Sequence, residues 1–334
     1  MKLLRLAAAA VLALACPTLS RAEVPEVRIA RQFSMGYLQL NVMDHEHLIQ
    51  KHAAALGIPE VKVATVKVNG PAAMNDALLS DSIDVVTGSA QGLYFIWSRT
   101  RGTSQEVRGI SALVSMPYQI VSRDPAITTV ADLGKCGKIA VASAKVSAPA
   151  ILIQAAAAKA FGLKDFARFD DLTVSMPPPD ALITLLSGQG DMKCSYGVEP
   201  YLTQMLDHPG VHTVLDAEAV WGGPSTFTLA YTSKRFHDRN PTLYQAVYDA
   251  LAEATTIVAH DPRKAARYWL EDGESKLPLD FVAGIAGGPR THWTMTPQKT
   301  MDIAKFMHDV GTLKVMPGSW HDYFFPEAYG LPGS

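Results

Sequence analysis

From Glu26 onward, short runs rich in β-branched residues alternate with longer helical runs, and this alternation limits the fold more than any other feature. Residues 27–31 predict a strand. A helix over 38–56 follows, with Leu38, Val42, Ile49, Ala53 and Leu56 on one face and Gly57 at its end. Residues 61–68 are dense in valine and predict a second strand. Gly70-Pro71 opens a short helix to Leu79, residues 83–87 form a third strand, Gly88-Ser89 starts another helix, and 107–115 is a fourth strand. Strands separated by helices in this order need a mostly parallel sheet with covering helices.

The rhythm then restarts. Residues 118–122 are extended, and Thr129-Val130-Ala131-Asp132-Leu133-Gly134 predicts one capped helical turn. Strands are expected at 139–142, 172–175, 192–196 and 211–215. Helices are expected at 149–161, closed by Gly162, and at 179–186, closed by Gly188. The remainder is mainly helical. Asn240-Pro241 predicts an N-cap followed by Pro at the first helical position, with Leu243, Val247, Leu251, Ala254 and Val258 as one stripe. Thr296-Pro297 repeats the device, with Ile303, Phe306, Met307 and Val310 on a face and Gly311 as the stop. The expected organisation is therefore two α/β lobes, 23–116 plus 228–334 and 117–227. The chain crosses between them near Ser115-Met116-Pro117 and again near 227–233. Two crossings make a hinge, and a ligand then sits between the lobes.

The N-terminus sets the compartment. Lys2 and Arg5 precede an unbroken apolar run over 6–15, and Ser20-Arg21-Ala22 offers small residues where a signal peptidase cuts, so 1–22 reads as a cleaved secretory signal. The run is too short to span a bilayer. A lipoprotein signal at Ala13-Leu14-Ala15-Cys16 is the competing reading; its leucine is one place off the usual pattern and Pro17 follows the cysteine. Cleavage after Ala22 removes three cations (Lys2, Arg5 and Arg21) and no acid, so the formal net charge moves from −2 to −5. Without a basic surplus, a phosphate-tracking nucleic-acid surface is not expected. No later stretch is long and apolar enough for a membrane helix. The expected product is an exported, periplasmic protein. Cys136 and Cys194 remain after cleavage and are free to pair in an oxidising compartment, although nothing in the sequence places them together.

Three strand-to-helix junctions carry small or hydroxyl residues: Gln32-Phe33-Ser34-Met35-Gly36-Tyr37, Thr87-Gly88-Ser89-Ala90-Gln91 and Ser143-Ala144-Lys145-Val146-Ser147-Ala148-Pro149. Such junctions line the crevice at the carboxyl ends of strands, and each exposes the free N–H groups of a helix start. Helix capping alone explains any one of them. Three from both halves of the chain point to a binding cleft. Lys145 is the one cation among them. Phe33, Tyr37, Tyr94, Tyr118, Tyr196 and Trp221 are the aromatic candidates for its walls, and Trp221 is followed by the turn formers Gly222-Gly223-Pro224. Glu199-Pro200 supplies a candidate cleft carboxylate. Asp44-His45-Glu46-His47 with His52 lacks a zinc-protease spacing, and its histidines do not share one helical face, so no metal site is expected. There is no nucleophile elbow, Walker loop or dinucleotide fingerprint, and neither an enzyme nor a cofactor is expected.

Four segments carry a family resemblance: Ser82-Ile83-Asp84-Val85-Val86-Thr87-Gly88; residues 129–141, with Asp132-Leu133, Gly137-Lys138 and Ile139-Ala140-Val141; Ser187-Gly188-Gln189-Gly190-Asp191 before a strand; and Thr228-Leu229-Ala230-Tyr231-Thr232-Ser233-Lys234-Arg235-Phe236. Over about residues 26–320 the chain resembles the periplasmic substrate-binding proteins of nitrate/sulfonate/taurine ABC importers, related to the thiamine-pyrimidine binders. The resemblance implies an α/β fold of the periplasmic-binding-protein type II class, a two-lobed clamshell in which each lobe is a mostly parallel sheet flanked by helices. It implies a monomer that closes on a small organic or inorganic anion and delivers it to a membrane permease. By position, the ligand loops fall on Ser34, Met35, Gly36, Tyr37, Gly88, Ser89, Ala90, Gln91, Ser115, Lys145, Ser147, Tyr196 and Glu199, with Trp221 as a further candidate. No arginine stands in the matched loops apart from Arg31 at the strand end, so aromatic or neutral ligands stay open beside anions. A periplasmic sensory module, and an enzyme acting on a pyrimidine-like heterocycle, are the two alternatives on the same scaffold.

Overall fold

The computed structural model describes residues 23–68 and 70–334, so the expected signal segment lies outside the described residues. Among the described residues, eleven strands fall in two sheets: β1 (Glu26–Arg31), β2 (Lys62–Lys67), β3 (Val85–Ser89), β4 (Val107–Ser115), β5 (Tyr118–Ser122), β6 (Ile139–Val141), β7 (Thr173–Ser175), β8 (Cys194–Val198), β9 (His212–Asp216), β10 (Thr228–Ser233) and β11 (His292–Trp293). The first sheet has the order β11-β4-β10-β3-β1-β2 and the second β7-β6-β8-β5-β9. In the first, β1 pairs in parallel with β2 and β3, and β10 runs antiparallel to both β3 and β4. In the second, β6 pairs in parallel with β7 and β8, and β5 runs antiparallel to β8 and β9. Both sheets thus share one plan. A strand that has just crossed from the other sheet, β10 or β5, is inserted in reverse between two strands that share a direction, and in the first sheet the short edge strand β11 is also antiparallel to its neighbour β4. The result is an α/β fold of two lobes.

The placement of each strand follows from its residues. β3, β8 and β10 are buried throughout, which suits their unbroken small and apolar runs. β2 lies at an edge of the first sheet, half-exposed, with Lys62 and Lys67 at its ends, a composition that discourages edge pairing with another chain. Helix Pro241–His260 buries the predicted stripe of Leu243, Val247, Leu251, Ala254 and Val258 in the core that also holds Ile29 of β1 and Ile110 of β4.

A disulfide joins Cys136 and Cys194, both fully buried, with 5.4 Å between Cα atoms. It fastens the capped turn Val130–Lys135 to the start of β8. That turn carries the expected capping box, in which the Asp132 carboxylate accepts from the Thr129 N–H at 3.1 Å and from its hydroxyl at 2.8 Å.

Four local expectations are corrected. The helix over 38–56 is two helices, Leu38–His45 and Leu48–Ala55, because His47 takes a left-handed backbone (φ 50°). The polar run that breaks it is engaged elsewhere. His45 bonds Asp272 at 2.8 Å and stacks on Tyr268, Glu46 accepts from the Tyr268 hydroxyl at 2.5 Å, and His52 bonds Glu253 at 2.8 Å. The strand placed at 192–196 lies two residues later, where β8 pairs with both β5 and β6. Asn240 does not cap helix Pro241–His260 with its side chain, which instead donates to the Phe236 carbonyl and accepts from the Val24 N–H. The Glu23 carboxylate takes the free Thr242 and Leu243 N–H groups at 3.0 and 2.7 Å. The last long helix starts at Thr300 rather than at Pro297, because the Ser334 carbonyl accepts from the Thr300 N–H at 2.7 Å.

Candidate functional site

The carboxyl ends of β1 and β3 face those of β6 and β8, and a cavity lies between them. The first lobe contributes Gln32, Phe33, Ser34, Tyr37, Pro71 and Ser89. The second contributes Ala142, Ser147, Ala148, Pro149, Pro178, Tyr196 and Val198, and Phe227 closes it at the return crossing. The room for the centre of a water-sized sphere is about 30 Å³, more than one water needs. Five of the fourteen candidate residues meet on this wall: Ser34, Tyr37, Ser89, Ser147 and Tyr196.

Each polar group on the wall is held by its neighbours. The Ser34 hydroxyl accepts from the Gly36 N–H at 2.9 Å and donates to the Glu199 carbonyl at 3.2 Å. Ser89 caps helix Ala90–Thr100 by accepting from the Gly92 N–H. Ser147 stands at the start of helix Ala148–Phe161 and donates to the Ser143 carbonyl at 2.6 Å, leaving its oxygen able to accept. Both helix starts point positive dipole ends at the cavity, although Pro149 removes one N–H donor from the second. Burial pushes the Tyr37 phenol well up, so it is a neutral donor at any ordinary pH. Tyr196 spends its hydroxyl on the Met176 carbonyl at 2.8 Å and offers the cavity only its ring. No charged side chain lines the cavity among the described residues.

The other candidates sit elsewhere. Met35 is wholly buried in the core of the first lobe, and the Gly36 carbonyl accepts from the Thr228 hydroxyl at 2.7 Å. Gly88, Ala90 and Gln91 lie behind Ser89 off the wall, with the Gln91 amide fully buried. Ser115 pairs with His292 between β4 and β11. Lys145 is exposed with a left-handed backbone (φ 67°), away from the wall. Glu199 turns its carboxylate to the Thr203 hydroxyl at 2.9 Å, and burial raises its pKa. The Trp221 indole N–H donates to the Tyr118 hydroxyl at 3.0 Å, and its ring meets Phe306 edge-on behind the crossing. Pro71, Ala142, Pro178, Val198 and Phe227 belong to none of the candidate junctions or rings read from the sequence. Pro178 had a readable signal, because it opens a helix after β7 at the same kind of junction as the other three.

Three further contacts join the lobes around the cavity, beside the Ser34 hydroxyl bond to the Glu199 carbonyl. The Met35 N–H donates to the Glu199 carbonyl at 2.9 Å across the cleft. Gly70, at φ 82°, comes so close to the second lobe that a Cβ there would lie 2.5 Å from the Ser143 hydroxyl oxygen. Arg290 reaches from the turn before β11 to the second lobe, where its Nη2 donates to both Asp216 oxygens at 2.9 and 2.8 Å and its Nε to Glu218 at 3.0 Å. Asp216 is held in turn by the Gln119 amide at 2.7 Å. A half-exposed bidentate pair of this kind contributes about 1 kcal/mol to the closed arrangement. Arg290→Met is therefore expected to lower the closed-to-open ratio about fivefold, read as a larger radius of gyration by small-angle scattering. An unchanged scattering profile would show that the pair contributes nothing to closure.

Solved structures of similar architecture include the alkanesulfonate-binding protein SsuA from Xanthomonas axonopodis pv. citri, bound to MOPS, at 18% identity and TM-score 0.68 over 89% of this chain and 96% of that chain. The periplasmic aliphatic sulphonate binding protein SsuA from Escherichia coli aligns at 19% identity and TM-score 0.63 over 88% and 95%. The periplasmic nitrate-binding protein NrtA from Synechocystis PCC 6803 aligns at 16% identity and TM-score 0.66 over 88% and 83%. These likenesses establish a shared fold, the periplasmic-binding-protein clamshell. No curated protein matches by sequence. The model of the NMT1-like family matches residues 20–270, most of the length of the chain, so the chain belongs to the NMT1-like family.

Proposed function

We propose that this protein is the extracytoplasmic solute-binding component of an ABC uptake system, closing on a small molecule between its lobes and delivering it to a membrane permease. The observation that carries the reading is the cavity itself. It is built from the strand ends of both lobes, so a solute bridging them stabilises closure by its differential affinity for the closed state. The sulfonate- and nitrate-binding proteins of the same fold support it, as does the disulfide, which fits an oxidising compartment.

The wall also favours one kind of anion over another. Phe33, Tyr37, Tyr196 and Phe227 offer rings, and Pro71, Pro149 and Pro178 add apolar surface, so the ligand carries an apolar body. The hydroxyls of Ser34, Ser89 and Ser147 and two helix starts suit a diffuse head group such as a sulfonate. An inorganic ion such as nitrate leaves the rings unused. A thermal-shift screen of residues 23–334 tests this with short alkane- and arenesulfonates, taurine, nitrate and uncharged aromatic amides. A sulfonate with an apolar body is expected to stabilise the fold by about 2.7 kcal/mol at a hundredfold excess over its Kd, and nitrate not at all. Stabilisation by nitrate alone would overturn the ligand class. Turnover of any of these compounds would overturn the receptor reading in favour of an enzyme.

A further inference from the structure

Two cations stand behind the cavity wall without lining it. Arg31 ends β1, immediately before the wall residues Gln32, Phe33 and Ser34, and its side chain is 8% exposed. Lys67 ends the neighbouring β2 and holds its ammonium 5.3 Å from the centre of the Phe33 ring, on the far side of a wall residue. Both are bound to one carboxylate. Arg31 Nη2 donates to Glu274 Oε1 at 2.6 Å, and Lys67 Nζ donates to Oε2 at 2.8 Å. The Glu274 side chain is 4% exposed. It comes from the loop that follows helix Pro262–Glu271, far away in sequence. The cluster reaches the boundary between the lobes, because Tyr201 of the second lobe has its phenol pushed up to about 12 by burial and by the Glu274 charge. Arg31 Nε and Nη1 are buried without a partner among the described residues, so the guanidinium has more donors than Glu274 uses.

We infer that Arg31 and Lys67 form an anion-binding site at the rim of the cleft, that Glu274 fills this site from within the chain, and that Glu274 thereby determines the charge of the solute the cleft accepts. The site would take a small carboxylate or comparable oxyanion. Two cations holding a carboxylate between them, one of them a buried guanidinium, form a receptor for that group whatever chain supplies it. With Glu274 in place, one of the two positive charges is cancelled before its field reaches the cavity. This leaves serine hydroxyls and helix starts to meet the ligand, which is why a diffuse anion suffices. Without Glu274, two cations behind Phe33 act through a water-poor wall where charge is weakly screened. The part of the inference that concerns solute charge rests on the receptor reading; the anion site does not.

The test uses residues 23–334 with Glu274→Ala, which leaves a gap the size of a short carboxylate. About 50 mM acetate is expected to raise the melting temperature of E274A by several degrees, with no such rise for equimolar chloride or for the unsubstituted protein. The second readout is the affinity for methanesulfonate divided by that for uncharged methanesulfonamide, expected to rise at least about tenfold in E274A. Acetate acting no differently from chloride on E274A would overturn the anion site, and an unchanged affinity ratio would overturn its role in selectivity. Should E274A not fold, Lys67→Met carries the test in the opposite sense, because Lys67 is a third exposed and its loss leaves the Arg31–Glu274 pair intact. That variant is expected to lower the ratio at least about threefold, and an unchanged ratio again overturns the role. If no compound of the thermal-shift screen binds the unsubstituted protein while acetate still stabilises E274A, the receptor reading falls and the anion site stands.

Discussion

Replacing Cys136 and Cys194 together by alanine is expected to lower the unfolding free energy by about 4 kcal/mol, read as a fall in the urea midpoint without loss of the native fold. The size follows from the chain between them. The two cysteines are 58 positions apart, and a cross-link of that span removes much of the freedom of the unfolded second lobe. Both sulfurs are buried among the residues that start β6 and β8, so the packing lost with them adds to the effect. Next to the bridge, Gly137 comes so close to the Asp191 carbonyl oxygen that no Cβ fits, and its φ is 69°. The capped turn, the bridge and this glycine together fix where the second lobe begins. A change below about 1 kcal/mol would show that the lobe is held by packing alone. A large change would tie full stability to an oxidising compartment, where the bridge persists.

How much of this was legible in the sequence depends on the range of each signal. Strand identity was readable because the side-chain pattern is local: β4 and β5 lie at 107–115 and 118–122 as the β-branched runs predict. The two-lobed plan was readable because the rhythm of strands and helices restarts. The broken helix at His47 was not, since the Asp272, Tyr268 and Lys264 contacts that occupy the polar run come from residues more than 200 positions away. The Glu23 cap of helix Pro241–His260 fails to show for the same reason. At the cavity wall, Ser34, Tyr37, Ser89 and Ser147 come from the strand-to-helix junctions singled out in the sequence, whereas Tyr196, in the middle of β8, was a candidate by its ring and by the family resemblance. Junction chemistry could not say which neighbour at each junction turns inward. Met35 and Tyr37 differ by two positions, and one belongs to the core while the other belongs to the wall. Lys145, the one cation of the three junctions, is exposed away from the wall. The cations that matter to the cleft's field are Arg31 and Lys67, and a glutamate at position 274, invisible to any local reading, sets their effect.

Phe227 is where stability and function meet, and Phe227→Ala is expected to cost about 3 kcal/mol of stability and to abolish solute binding within the range of a thermal-shift screen. The residue is the last before β10, at the return crossing. Its N–H donates to the Val114 carbonyl at 2.9 Å and its carbonyl accepts from the Ala90 N–H at 3.4 Å, so the backbone is fixed to the first lobe. Its ring stacks on Tyr118, the first residue of β5, with centroids 5.1 Å apart at 26°. The ring also touches the Gly36 backbone, where an added Cβ would lie 3.3 Å from Phe227 Cε1. One side chain therefore joins the two crossings and forms the end of the cavity at once. Phe227→Leu separates the two roles, because a branched aliphatic side chain refills most of the volume at a cost under about 1.5 kcal/mol but gives a planar ligand no face to stack on. A protein that keeps its stability in F227L and loses affinity only for aromatic solutes assigns the ring to ligand recognition. One in which alkane- and arenesulfonates weaken together assigns it to the hinge, where the loss reflects a lower closed population and falls on every ligand by the same factor.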